Sequence, residues 1–326
     1  RYFTSAQPRI LSRLFDIILS AFRVEIKSTS EDLDNNEKET FNNHRYNLEL
    51  YGFLIHWFLL LAEENATSSN IIRKSKTAQS SSLSNNDLRT FDWSSQKLKA
   101  FDLASWLLGL KLTKIWTLTP DRVNFVTLFT KPAYQLFENP VYAKSNPIKE
   151  RIFRILSLCI KYYDHLSVAQ TTIMQNLQYW EHSAEPMAEL LVYMVEKHNY
   201  TQLADEILRE ISNREFKDVT NKEVKDSPNP KTFALFLQKL AELSTKTVLK
   251  NLTVLISQLD SESYLMRSTL IDILGHLIAE LSKTIEENPR NMDQINGFFD
   301  LLEERMLDPI AYCRQKVLQV YLRLFK

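Results

Sequence analysis

Residues 255–281 read LISQLDSESYLMRSTLIDILGHLIAEL, two apolar helical segments joined by a tight polar turn. The turn carries an acid, Asp260, and seven residues further on stands a base, Arg267. Such a pair is either a site or a part of the architecture. A second copy of the pattern decides between them. Aligning YLMRSTLIDILGHL with AYCRQKVLQVYLRL places Arg267 on Arg314, Leu270 on Val317 and Leu274 on Tyr321, an offset of 47 residues. That period is the one expected of HEAT-type helical hairpins. Each copy has an acid between its helices, Asp260 in QLDSES and Asp308 in MLDPIA. Asp308 precedes Arg314 by six residues, whereas Asp260 precedes Arg267 by seven. The turn aspartate is expected to cap the second helix. The arginine is expected to reach turn groups of its own or the adjacent repeat. Asp260, Arg267, Asp308 and Arg314 are thereby read as the residues that space successive hairpins.

The rest of the chain agrees with that reading. It has 326 residues, 44% of them apolar and only 4 of them glycine. So few glycines argue against hairpin-rich sheets and glycine-rich phosphate loops. Helical periodicity extends over most of the length. A first apolar stripe runs through Ile10, Leu14, Ile17, Ile18 and Ala21. LELYGFLIHWFLLLAEE, residues 48–64, is too short to cross a bilayer and reads as a core helix. A long helix is expected over 88–116 and another from Thr119, with Thr119 as its N-cap and Pro120 at its first position. Asn146 and Pro147 repeat that device. Further helices are expected near 166–180, 184–198, 200–213, 231–243, 246–259, 262–282, 291–306 and 310–325. About thirteen helices with short connections and no convincing strand make an all-α chain, an α-solenoid of stacked HEAT-type hairpins. Residues 1–326 are expected to form a single helical-repeat domain, and the pattern already under way at the first residues, with no signal peptide visible, is expected to make the chain a fragment of a longer one. Within it, 65–87 is a Ser/Thr-rich mobile loop and 214–230 a polar inter-repeat loop.

Few residues suggest chemistry. No GxSxG, P-loop or GxGxxG pattern occurs, and the six histidines form no close ligand pair. His56 and His276 lie in apolar helices and read as satisfied core or groove residues. Cys159 and Cys313 sit in apolar helical patterns and read as small buried hydrophobes, not a zinc site or disulfide framework. Glu303 and Glu304 read as a solvated helix face. The chain is expected to be no enzyme and to need no cofactor. Arg73, Lys74 and Lys76 interrupt the Ser/Thr-rich loop and are candidates for a basic contact with phosphate. Ser227, in KDSPNPK, and Thr119, in TPDR, are candidate proline-directed phosphorylation sites. Thr119 also has its structural reading at the helix start. A groove is the third kind of site a solenoid offers. Tyr162, Tyr163, Tyr179 and Trp180 are its candidate anchors, although helix–helix core is the commoner role for such residues.

Five segments in order carry a resemblance: LELYGFLIHWFLLL, TPDRVNFVTLFTKPAYQLFENP, EKHNYTQLADEILREIS, LDSESYLMRSTLIDILGHLIAEL and LLEERMLDPIAYCRQKVLQVYLRL. From about residue 43 onward the chain resembles the N-terminal region of the condensin HEAT subunits of the D2 type. The resemblance implies a non-catalytic subunit of a chromosome-organising ATPase complex. It further implies partners in the kleisin subunit and the SMC ATPase subunits, a share in holding DNA, control by phosphorylation, and a place in the nucleus and on chromosomes with a cytoplasmic pool. No short motif marks the kleisin contacts residue by residue.

Two other readings compete. A solenoid adaptor of nuclear transport or trafficking would bind extended peptides. A direct nucleic-acid-binding module would need a local basic patch, because 40 Lys+Arg balance 40 Asp+Glu.

Overall fold

A computed structural model describes residues 20, 46, 49–50, 52–57, 59–60, 93–109, 118–144, 146–218, 229–286 and 288–325. Every regular element among them is helical. The fold is an all-α solenoid of HEAT-type hairpins. Its α-helices are α1 (Trp93–Gly109), α2 (Thr119–Phe137), α3 (Pro140–Lys144), α4 (Asn146–Tyr162), α5 (Leu166–Tyr179), α6 (Ala184–His198), α7 (Gln202–Ser212), α8 (Pro230–Leu243), α9 (Thr245–Leu255), α10 (Tyr264–Ser282), α11 (Arg290–Glu304) and α12 (Ala311–Leu324). The chain separates into two compact units, one of Arg1–Leu136 with Lys144–His165, the other of Phe137–Ala143 with Leu166–Lys326.

In the first unit α1 packs on α4, and Arg151 on α4 grips Asp102 on α1 through both carboxylate oxygens, at 2.8 and 3.1 Å. The helical residues near 52–59 lie against α2. A Cβ at Gly52 would come within 3.0 Å of the Phe125 ring and 3.2 Å of the Phe129 ring, so the glycine permits the close approach. Pro132 lies inside α2 and has no N–H for the carbonyl four residues before it. That carbonyl belongs to Leu128, and the His56 ring approaches it with Nδ1 at 2.8 Å. A carbonyl only accepts, so His56 carries its proton on Nδ1. His56 thus completes the backbone of a neighbouring helix.

In the second unit α6, α8, α10 and α12 stack in order as one layer, and α5, α7 and α9 pack in order on the other side. The hairpins are α5–α6, α7–α8, α9–α10 and α11–α12. Their cores are leucine, isoleucine and phenylalanine, with Ile207, Leu208, Phe233, Phe236, Leu237 and Leu270 all fully buried. Burial of such side chains contributes about 1.5–3 kcal/mol each.

Several boundaries differ from the sequence reading. The expected helix over 246–259 stops at Leu255 and tightens into a 3₁₀ turn, Ile256–Asp260. A second 3₁₀ turn, Arg305–Leu307, stands in the corresponding place before α12. Both tighten the end of a helix just before a tight inter-helix turn, where the last carbonyls lack intrahelical donors. The short α3 has too few residues for a periodic pattern. The helix of TPDR begins at Thr119, with the Leu118 carbonyl accepting from the Arg122 N–H, so Thr119 stands one position inside the expected cap. The stripe over 10–21 falls outside the described residues apart from Ser20, which is helical, and the 65–87 segment lies wholly outside them. Of 214–230, residues 214–218 and 229–230 are described, and Phe216 is buried against Phe233.

Candidate functional site

Among the described residues of the second unit, a network of polar side chains lies along the seam where one hairpin meets the next. Arg267, on the first turn of α10, is its centre. Its Nη1 donates to the Ser261 and Glu262 carbonyls of its own turn, at 2.7 and 3.2 Å. Its Nε and Nη2 donate to the two carboxylate oxygens of Asp308 in the following repeat, at 2.8 and 3.1 Å. Both side chains are nearly removed from solvent, at 10% and 1% exposure. Asp308 also accepts from the Ile310 N–H at 2.8 Å, which closes its own turn. Burial pushes the Asp308 carboxyl up, but Arg267 and the Ile310 N–H outweigh it and hold the group below the usual carboxylate range.

The pattern recurs at the sequence period. Arg314 donates from Nη1 to the Asp308 and Pro309 carbonyls, at 2.6 and 3.1 Å, as Arg267 does to Ser261 and Glu262. Gln258 donates to the Ile211 and Ser212 carbonyls at the end of α7 and to the Arg214 carbonyl just past it. Arg305, 47 residues later, donates to the Leu259 carbonyl at 3.0 Å and to Asp260 at 2.9 Å. The α9–α10 and α11–α12 hairpins thus each supply donors to carbonyls near a helix end of the hairpin before.

The structure does not bring Asp260 and Arg267 together. Asp260 is exposed and pairs with Arg305, while Arg267 reaches forward to Asp308. In the geometric register the residue equivalent to Asp308 is Ser261, whose carbonyl takes the same bond from the repeated arginine. This is why the acid-to-base spacing in the earlier repeat is one residue longer. Two further acids join the seam. Asp218 accepts from the Ser263 hydroxyl and the Tyr264 N–H at the start of α10. Asp205 accepts from Lys250, Asn251 and Thr201. Burial raises the Asp205 carboxyl, and these donors bring it below the usual range. Sequence reading missed Gln258, Arg305, Asp205 and Asp218. The 47-residue spacing of Gln258 and Arg305 is the signal that could have found the first two.

An apolar contact completes the seam. A Cβ at Gly275 on α10 would lie 2.5 Å from a Val320 methyl and 2.8 Å from an Arg323 nitrogen on α12. Asp272, one turn back, faces Arg323 at 3.2 Å and accepts from Gln238 on α8 at 2.9 Å, so one carboxylate ties three consecutive helices of the layer.

The other candidates are scattered. Thr119 is exposed at the start of α2. Arg73, Lys74, Lys76 and Ser227 lie outside the described residues. Tyr163 is buried and donates to the Leu108 carbonyl, Tyr162 is half-buried, and Tyr179 and Trp180 are exposed. Cys159 and Cys313 are buried free thiols, pushed up by burial. His165 is buried against Tyr134, with its Nε2 3.5 Å from the tyrosine oxygen, and burial lowers it to about 4. His182 meets the Phe137 carbonyl, and His276 the Thr245 hydroxyl. Among the described residues no group of three His, Cys, Asp or Glu side chains is placed to hold a metal, and no helix is long and apolar enough to cross a membrane. The seam joins helix ends across repeats, which is the work of a scaffold.

Comparison with known proteins gives the scaffold its family. The model of the N-terminal part of non-SMC mitotic condensation complex subunit 1 matches residues 8–169. Condensin complex subunit 1 of Schizosaccharomyces pombe is 31% identical over 99% of this chain. The chain belongs to the condensin subunit 1 family. Condensin complex subunit 1 of Saccharomyces cerevisiae is also 31% identical, over 97% of the chain. The Arabidopsis thaliana condensin-1 complex subunit CAP-D2 is 23% identical over 99%. The matched parts are 28%, 27% and 23% of these relatives, so the chain spans about a quarter of the length of the condensin subunits it resembles.

Proposed function

We propose that this chain is a helical-repeat scaffold of a condensin complex, non-catalytic, and that it acts by binding the kleisin and SMC ATPase subunits during mitotic chromosome condensation. Its site of action on this reading is the nucleus and chromosomes, with a cytoplasmic pool. The observation that carries the reading is the likeness to condensin subunit 1 of two yeasts along nearly the whole chain, at 31% identity. The seam adds physical support, because a fold whose repeats are joined by a buried ion pair and by side chains bonded to helix-end carbonyls is suited to presenting long surfaces. In this role Asp260, Arg267, Asp308 and Arg314 keep the hairpins in register and touch no partner.

DNA contact, if made by this chain, is local and weak, since the formal net charge is zero. Arg73, Lys74 and Lys76 are its basic candidates. Phosphorylation at Ser227 and Thr119 is the proposed control. A phosphate on Thr119 would stand at the start of α2, where the helix dipole favours negative charge.

Affinity purification of the tagged full-length protein from mitotic cells tests the reading. Recovery of SMC ATPases and a kleisin is the expected result. Recovery of transport or trafficking factors without SMC ATPases would sink it. A DNA titration of the purified chain at several salt concentrations is expected to show weak binding, and tight, steeply salt-dependent binding would require a phosphate-binding surface.

A further inference from the structure

Of α1 to α12, α5 alone carries no Asp, Glu, Lys or Arg, in a chain that is 25% charged. Ile173 and Leu177 on its inner side are fully buried. On its outer side Val168, Thr171, Thr172, Gln175 and Tyr179 recur at three- and four-residue spacing, and Trp180 follows at the helix end. Val168, Tyr179 and Trp180 are 51%, 66% and 41% exposed. The Thr171 and Thr172 hydroxyls donate to the Ser167 and Val168 carbonyls of their own helix, at 3.0 and 2.8 Å. That uses the hydroxyl protons within the helix and leaves the methyls to the outer side. Glu210 on the neighbouring α7 is already engaged, accepting from Gln170 at 2.9 Å and pairing with Arg214 at 2.7 Å. An uncharged face that ends in Tyr and Trp has the composition of an interface core, not of a solvated helix side.

We propose that the outer face of α5 is a self-association surface, which takes a second copy of the same chain in an antiparallel, two-fold contact. The charge pattern selects the occupant. Without a cation the face offers nothing to nucleic acid or an acidic segment, and without an anion nothing to a basic one. In a two-fold contact a residue beside the axis meets its own copy, so charges there would repel, and a neutral face meets that requirement. The face is also complementary to itself. Its N-terminal half is small, with Val168, Thr171 and Thr172, and its C-terminal end is large, with Tyr179 and Trp180. Reversing one copy against the other sets Val168 against Tyr179 and Thr172 against Gln175, around an axis between residues 172 and 175. The helix has 14 residues and so is about 21 Å long. A contact of that length lies at the small end of the interface range, so the dimer is weak and depends on concentration. The inference goes beyond the functional reading above and does not rest on it.

Analytical ultracentrifugation of the isolated full-length protein over a range of concentrations tests it. The parent is expected to pass from monomer to dimer as concentration rises, and a monomer at every concentration overturns the proposal. Gln175 is exposed beside the axis, and Gln, Glu and Lys have similar helix propensities, so Gln175→Lys and Gln175→Glu are expected to keep the parent Tm. Each sets like charges across the axis and is expected to weaken dimerisation roughly tenfold or more. An equimolar mixture of the two variants pairs opposite charges and is expected to recover at least the parent affinity. Dimerisation of either single variant at the parent affinity, or a mixture that stays weak, refutes the antiparallel α5 contact. Loss of another subunit from a complex purified with Q175K, with self-association of the isolated protein unchanged, assigns the face to a different protein and also overturns the proposal.

Discussion

Arg267 and Asp308 form an ion pair that is almost wholly desolvated. Two buried charges attract strongly, but each has lost its hydration, so the pair adds less than its Coulomb energy. Removing one partner leaves the other charge buried and unpaired. Arg267→Ala is therefore expected to lower stability by about 3–5 kcal/mol, read as a drop in urea midpoint. An unchanged midpoint would refute its architectural role. Replacing both residues by apolar ones of similar volume is expected to recover most of the loss. His165 gives a second test at this scale. Its folded value of about 4 lies below its ordinary value of 6.5, since burial favours the neutral ring. Stability from this group is fully present above pH 6.5, falls as pH drops below that, and is gone below about 4. The shift corresponds to about 3 kcal/mol at most. Urea midpoints taken from pH 7 to pH 4 should therefore fall for the parent chain and fall less for His165→Phe.

Helix packing sets two further expectations. Gly275→Ala would raise intrinsic helix propensity by roughly 1 kcal/mol. The new methyl would collide with Val320, a short branched side chain with little room to give. Overpacking of about 1–3 kcal/mol is expected to win, and Val320→Ala should relieve it. Melting curves of the single and double variants decide the sign. The His56 bond to Leu128 has the opposite logic, for it repairs a gap left by Pro132. His56→Leu is expected to cost about 1–3 kcal/mol by stranding the carbonyl. In a Pro132→Ala background the helix supplies its own N–H, and the same change should cost less. A double-mutant cycle that shows no coupling would refute this account.

Across the molecule, the helical class and the 47-residue period were legible because core residues repeat both along a helix and between hairpins. What the sequence concealed was one residue of register. Asp260 and Asp308 look equivalent by type, but the bonds from Arg267 and Arg314 to turn carbonyls show Ser261 in that place. Backbone acceptors carry no side-chain signature, so Gln258 and Arg305, which serve them, were equally hard to see. The 3₁₀ turns escaped for a similar reason, since periodicity in 256–260 matches either helix type over so few residues. Most histidines have prosaic partners, and only the fold reveals that His56 answers a proline 76 positions away.

That Gln258 and Arg305 reach back to complete the preceding helix ends has a mechanical consequence. A hairpin pulled from the array strands carbonyls on its neighbour, so detachment of one weakens the grip of the next while leaving more distant ones untouched. Under tension the second unit should lengthen in discrete steps of one hairpin, each releasing roughly 160 Å of contour for a 47-residue period. In an optical trap such a staircase would distinguish sequential peeling from rupture of the whole stack at once.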